Sequence, residues 1–270
     1  MLEHDWSNYI KLVMKVSIMW MTRKRSYELI YSLSSFIMNA NDNKDIEYII
    51  VLDPDDNETV TALEKISGMC CIHDAEISYC VTDKRYGYEE LEQYQNLAGQ
   101  IFTGECLMIM NDDVVCMNKG WDDELRSTLR TSLDKPAWIG IAGANEEWKG
   151  FTTFVGINRK WYEVTNQVSG NRATDHYLQD LGKAAGIEPL TPKLEIVHLQ
   201  RGKGAIEYIK DGHKKLIPGL PDDGLGGYPT KTPKPPKYYH KIFTPNTSAT
   251  DFIEGKKRFD KDLEKLLGNM

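Results

Sequence analysis

A chain of 270 residues, 41% of them hydrophobic and 27% charged, can bury a sizeable core as one large domain or as one domain with an appendage. Its net charge of -7 argues against a dominant surface for a phosphate backbone, while leaving room for a local basic patch. The five cysteines (Cys70, Cys71, Cys80, Cys106 and Cys116) show no Cys-x-x-Cys spacing, which favours reduced thiols over a disulfide framework or a zinc site.

Residues 1–9 are polar and acidic, unlike a secretory signal, and the apolar stretch 10–21 is broken by Lys11, Lys15 and Ser17 and is too short to span a bilayer. The expectation is a cytoplasmic protein. Residues 16–21 read as a first buried strand. It stops at Thr22, Arg23, Lys24 and Arg25, after which Ser26 is placed to cap a helix to about residue 40, with Leu29, Ile30, Leu33, Phe36 and Ile37 at helical spacing. A strand, a cationic turn and a helix start form a place to hold an anion, because free backbone N–H groups and the helix dipole point the same way. The competing reading is a solvated Lys/Arg turn.

Residues 46–52 form a second strand ending in Asp53, and Pro54 fixes an extended geometry there. The Asp53 carboxylate is set to accept hydrogen bonds from a ribose or a base, or else to cap the following helix, 58–67. A third strand, 77–82, leads to Asp83 and then to a helix over 89–103 with Leu91, Tyr94, Leu97, Ala98 and Ile101 on one face, ended by Gly104. The alternation of strand and helix implies a largely parallel sheet with helices on both faces and a ligand crevice at the strand ends.

The run from Cys106 to Met110 ends abruptly in Asn111, Asp112 and Asp113. A buried strand that delivers adjacent carboxylates to the mouth of a sheet calls for a cation between them, and hard oxygen ligands suit Mg²⁺ or Mn²⁺; the bland alternative is a solvated turn. A helix over 122–133 and strands over 137–143 and 151–157 follow, the latter flanking aromatics that suit a sugar-facing wall or simply the core. Thr174 opens a helix to 185, closed by Gly186; its Asp175 either complements the helix dipole, with Thr174 as cap, or stands beside the crevice as a general base. A last strand, 194–199, carries His198 ahead of the basic loop with Arg201 and Lys203, where an imidazole can meet a metal or a phosphate. Residues 216–245 are Pro/Gly-rich and locally basic, and 251–267 read as an amphipathic helix docking on the body or on a second copy.

Together these pieces resemble a GT-A glycosyltransferase, in particular the large inverting family of broad specificity. The resemblance rests on VSIMWMTRKR, IEYIIVLDPDD, TDHY and VHL in the order of that family, and most specifically on YQNLAGQIFTGECLMIMNDDV. It covers about residues 14–203. It implies a GT-A domain over 1–210, with a nucleotide-binding half (1–110) and a metal and acceptor half (111–210), followed by a wrapping segment and helix over 211–270. It further implies that Thr22, Arg23 and Asp53 hold the nucleoside, with Arg25 in the same cationic turn and Asp83 near the base. Asp113 and His198 would bind the divalent cation, Mn²⁺ or Mg²⁺, and Asp175 would be the catalytic base. Asn111 stands where the family has a carboxylate, which assigns Asn111 or Asp112 to the ribose or to metal-bound water. Arg201 and Lys203 would face the developing charge on the leaving diphosphate.

The implied donor is a UDP-linked sugar and the acceptor a hydroxyl of a glycan, protein or small metabolite, or of a modified nucleobase in viral DNA. A homodimer through the C-terminal helix is a further expectation. A nucleotidyltransferase is the rival enzyme, disfavoured by the lack of glycine after the first strand. A non-catalytic sugar-nucleotide or glycan-binding module is the rival outside enzymes, favoured by Asn111.

Overall fold

The computed structural model describes residues 14–144, 152–199 and 249–269. Arg201, Lys203 and the Pro/Gly-rich segment lie outside the described residues. The strand β1 (Val16–Thr22) is the centre of the sheet, as its apolar run requires, and pairs in parallel with β2 (Ile46–Leu52) and β4 (Cys106–Met110). Outside β2 lies β3 (Glu76–Val81), also parallel. Beyond β4 the direction reverses: β7 (Phe154–Asn158) runs antiparallel to β4, and β6 (Trp138–Ile141) antiparallel to β7. The order β3-β2-β1-β4-β7-β6 gives a mixed, mostly parallel sheet.

Alternation along the strands divides the core in two. Ile18 and Trp20 meet Leu29, Leu33 and Phe36 of α1 (Ser26–Asn39) on one face. Met19, Ile49 and Val51 meet Tyr94 and Ala98 of α4 (Leu91–Ile101) and Leu178 of α7 (Thr174–Ala185) on the other. Each such fully buried aliphatic or aromatic side chain contributes roughly 1.5–3 kcal/mol of burial, so neither face is left to solvent. The elements α2 (Asn57–Lys65) and α3 (Ser67–Ile72) connect β2 to β3, and α5 (Trp121–Leu129) and α6 (Arg159–Thr165) follow β5 (Val114–Cys116) and β7. Cys70, Cys106 and Cys116 are buried and all five cysteines are free thiols.

Several expected boundaries shift for identifiable reasons. Arg25, not Ser26, is the N-cap of α1; the Ser26 hydroxyl donates instead to Glu58 across to α2 (2.6 Å). The helix before β4 begins as a 3₁₀ turn at Tyr88–Glu90 and ends at Ile101, before Gly104. Gly104 serves close approach rather than a helix end: a Cβ there would meet the Ser17 backbone nitrogen at 2.7 Å, and its own N–H donates to Ser17 Oγ. Gly186 does end α7, in the left-handed region at φ 71°. The aromatics Phe154 and Trp161 are core residues, 1% exposed, not a sugar-facing wall.

At the far edge of the sheet, Glu47 accepts from Ser17 Oγ (2.5 Å), Thr103 N (2.8 Å) and Thr103 Oγ1 (2.9 Å). Burial acts to raise its carboxyl, but these donors and Lys15 outweigh it and hold it below the ordinary value. A lowered folded pKa stabilises the fold above the unfolded carboxylate's value, about 4.3, and that contribution is lost as pH falls through the folded value. The stability gap between wild type and Glu47→Gln in urea titrations should therefore be full at pH 7 and close in acid.

The last strand, β8 (Ile196–His198), leaves the main sheet and pairs antiparallel with β5, with Val114 opposite His198. The C-terminal helix, α8 (Ala249–Leu267), packs on α6 and α7. Among the described residues no helix is long and apolar enough to cross a membrane.

Candidate active site

Parallel strands deliver their carboxyl ends to one edge, so the residues just beyond β1, β2 and β4 share a crevice. Thr22 ends β1, Asp53 follows β2, and Asn111, Asp112 and Asp113 follow β4. Asp112 and Asp113 are buried, 5% and 4% exposed, which for adjacent carboxylates requires partners. Thr22 Oγ1 donates to Asp112 Oδ2 (2.7 Å) and Arg25 Nη1 to Asp112 Oδ1 (2.5 Å). Arg25 Nη2 lies 3.4 Å from Asp113 Oδ2. The cationic turn after β1 thus reaches the acidic end of β4.

Asp113 Oδ1 and His198 Nε2 are 3.0 Å apart. The ladder of β5 and β8 sets this distance: Val114 faces His198, and Leu199 N donates to the Asp113 carbonyl (2.8 Å). The imidazole also packs edge-on against Phe154, with ring centroids 5.9 Å apart. Burial pushes the Asp112 carboxyl up to about 7 against the pull of Arg25, with the charge of Asp113 adding to the push. Burial acts on Asp113 too, but His198 and Arg25 outweigh it and hold that carboxyl below its ordinary range. Like charges in one dry site are pushed apart in this way when positive charge falls short.

A divalent cation fits this donor set. Two adjacent ligands of an octahedral ion at ~2.1 Å stand about 3.0 Å apart. Asp113 and His198 have that separation, which is also the length of the hydrogen bond they make with each other, so it is the chemistry of the two donors that suits the ion. The imidazole nitrogen favours a transition ion such as Mn²⁺ over Mg²⁺. Among the described residues no group of three His, Cys, Asp or Glu side chains converges as a metal site. A cation held by two protein ligands takes the rest of its shell from water and from a ligand's phosphate oxygens.

On the nucleoside side, Arg23 Nε lies 2.8 Å from Asp53 Oδ2, and Arg23 Nη2 donates to Asp55 Oδ2 (2.7 Å). Asp53 does not cap α2; Asp56 does, accepting from Thr59 N (3.2 Å). Asp53 Oδ1 accepts instead from Tyr94 OH (2.5 Å), whose oxygen accepts from the Tyr86 and Gly87 amides (3.1 and 3.0 Å). Asp83 is exposed on this same loop and accepts from Tyr86 OH (2.8 Å). Sequence periodicity assigns Tyr94 to the apolar face of its helix; its hydroxyl at the sheet edge gives it the second role of orienting Asp53.

Asp175 sits half-buried in the first turn of α7 and accepts from the His176 amide (2.9 Å). Thr174 is not the cap: Ala173 is, and the Thr174 hydroxyl is turned inward onto Gln95 of α4. Asn96, next along α4, accepts from the Val168 and Ser169 amides (2.7 and 3.1 Å) and donates to the Ser169 carbonyl (2.8 Å). The loop leading to Asp175 is therefore clamped to α4, and this is a physical role for the asparagine of the QNLAG motif. Replacing Asn96 by alanine strands two buried amides. The expected loss is about 2–4 kcal/mol, read as a lower urea midpoint at unchanged slope.

No family model matches the chain, and no curated protein matches its sequence. Solved structures do match in fold. The mannosyltransferase PcManGT from Pyrobaculum calidifontis, in complex with GDP-Man and Mn²⁺, superposes with a TM-score of 0.54 at 13% identity, over 72% of this chain and 59% of that one. S. aureus TarS 1–349 in complex with UDP superposes with a TM-score of 0.50 at 14% identity, over 63% of this chain and 55% of that one. The chain thus spans under three fifths of the length of either. With the sheet order and its reversal after β4, these likenesses define a GT-A-type α/β fold.

Proposed function

We propose that the protein is a metal-dependent glycosyltransferase that moves a sugar from a nucleotide sugar to an acceptor hydroxyl with inversion. The observation that carries this reading is the pairing of Asp113 with His198 at 3.0 Å, beside Arg25 and Thr22, at the carboxyl ends of β1 and β4. The two solved structures that share the GT-A-type fold carry GDP-Man with Mn²⁺ and UDP, which supports a nucleotide-sugar reading of this crevice.

In this reading Asp53 and Arg23 bind the nucleoside, Asp83 lies near the base, and Asp113 and His198 hold Mn²⁺ or Mg²⁺. When bound, the cation offsets the charge that the diphosphate gains on leaving. Asp112 keeps Thr22 and Arg25 in place, and Arg25 adds its own positive charge to the crevice. Asp175 takes the proton of the acceptor hydroxyl as that oxygen bonds to the anomeric carbon and the bond to the diphosphate breaks on the opposite side. Arg201 and Lys203, which lie outside the described residues, are assigned as further cations for the diphosphate on the resemblance alone.

Asn111, half-buried at the position of an expected carboxylate, favours a second reading, a module that binds a nucleotide sugar without turnover. One experiment separates the two. Melting shifts with UDP- and GDP-sugars and Mn²⁺ identify the donor, and release of its nucleoside diphosphate is then followed. Binding with release supports the transferase, binding without release supports the module, and neither overturns both.

A further inference from the structure

The helix α8 is the one C-terminal element among the described residues, and it packs on α6 and on α7, the helix whose first turn carries Asp175. Asp262, 2% exposed, accepts from Tyr177 OH (2.6 Å) and from Gln167 Nε2. Lys265 lies 3.6 Å from Asp262 and donates to the Thr165 carbonyl at the end of α6 (2.5 Å). Phe259 meets the Tyr177 ring edge-on at 5.9 Å, and Leu266 is fully buried. Tyr177 belongs to the same helical turn as Asp175, and Gly170 in the preceding loop makes room for its hydroxyl: a Cβ there would come within 2.9 Å of it.

An apolar residue at 262 would dock a helix as well as a carboxylate does, because burying a charge costs several kcal/mol before its partners repay it. What the carboxylate adds is direction. Its donors come from the 166–173 connection and from α7, so the hydrogen bonds fix the rotation and height of α7 relative to α6. Tyr177 stays protonated to serve as donor, since burial and then the charge of Asp262 push its phenol up.

We infer that α8 is a working part of the site: Asp262, acting through Tyr177, is a positioning residue that holds the first turn of α7, and with it Asp175, against the crevice. On one side α4 clamps the approach loop through Asn96 and Gln95; on the other α8 clamps the helix itself. The inference rests on the reading of Asp175 as base.

The test uses the full chain, with UDP-glucose and GDP-mannose as probes and Mn²⁺ present. Release of UDP or GDP is followed as donor hydrolysis, in which water stands in for the acceptor. Asp262→Asn and Tyr177→Phe are expected to lower kcat about tenfold to a hundredfold, the scale of a misplaced catalytic group. Calorimetric affinity for UDP or GDP should be unchanged, and the double variant no worse than Asp262→Asn alone. An unchanged kcat in Asp262→Asn overturns the inference, as does a parallel loss of nucleotide affinity, which would mark α8 as mere scaffolding.

Asp175→Asn keeps the two readings apart. If it turns over normally, the base assignment falls, whatever Asp262→Asn does. If wild type hydrolyses neither donor, amide hydrogen exchange decides: faster exchange confined to 166–177 in Asp262→Asn supports the clamp, and unchanged exchange overturns it.

Discussion

The Asp175→Asn variant is expected to bind its donor as wild type does and to transfer sugar about 10²–10⁴-fold more slowly, the usual contribution of a positioned general base. The amide keeps the shape of the carboxylate and can still accept from the His176 amide, so α7 should start where it does now. Only the capacity to take a proton is removed. The loss should fall on kcat with little change in KM, the signature of an interaction made in the transition state alone. Nucleoside diphosphate release gives the rate and calorimetry the donor affinity. Wild-type turnover in this variant would move the base elsewhere and leave Asp175 as a helix-start acid.

A second large effect is expected at the cation. Asp113→Asn leaves a weaker oxygen donor and removes the charge that faces both His198 Nε2 and Arg25 Nη2. Affinity for Mn²⁺ should fall by at least the 10- to 100-fold that loss of a merely supporting residue costs a metal site. Donor binding should lose its dependence on the ion. His198→Ala should do the same from the other side, since each residue is expected to supply one ligand. Manganese titrations followed by electron spin resonance read the affinity directly, without a need for turnover. If both variants bind Mn²⁺ as wild type does, the pair is a buried structural hydrogen bond and the cation lies elsewhere. Chelation of wild type should abolish diphosphate release in the same way.

The matched structures and the folded chain agree at the level of the sheet, and that level was legible beforehand. The runs at 16–21, 46–52 and 106–110 are apolar on both faces, which only central parallel strands require. The helical spacing of Leu29, Leu33 and Phe36 and of Tyr94 and Ala98 found the two layers that cover them. Local chemistry misled where a residue's partner was distant. Ser26 and Thr174 have the composition of caps, yet their hydroxyls go to Glu58 and Gln95, because a buried hydroxyl follows the nearest tertiary acceptor. Gly104 has the composition of a helix end, yet it is the approach of β1 that excludes a side chain.

What the sequence by itself determined is the order of strands and helices, the edge at which they converge, and the acidic residues delivered to that edge. These follow from period and punctuation, which are local properties. The pairing of His198 with Asp113 was implied by the resemblance, and the register of β5 and β8 sets it at 3.0 Å; only the tertiary structure decided the others, Tyr94 with Asp53, Asn96 with the loop before Asp175, and Asp262 with Tyr177. The physical reason is that a buried polar atom must find a partner wherever the packed chain puts one, and sequence separation has no bearing on that need.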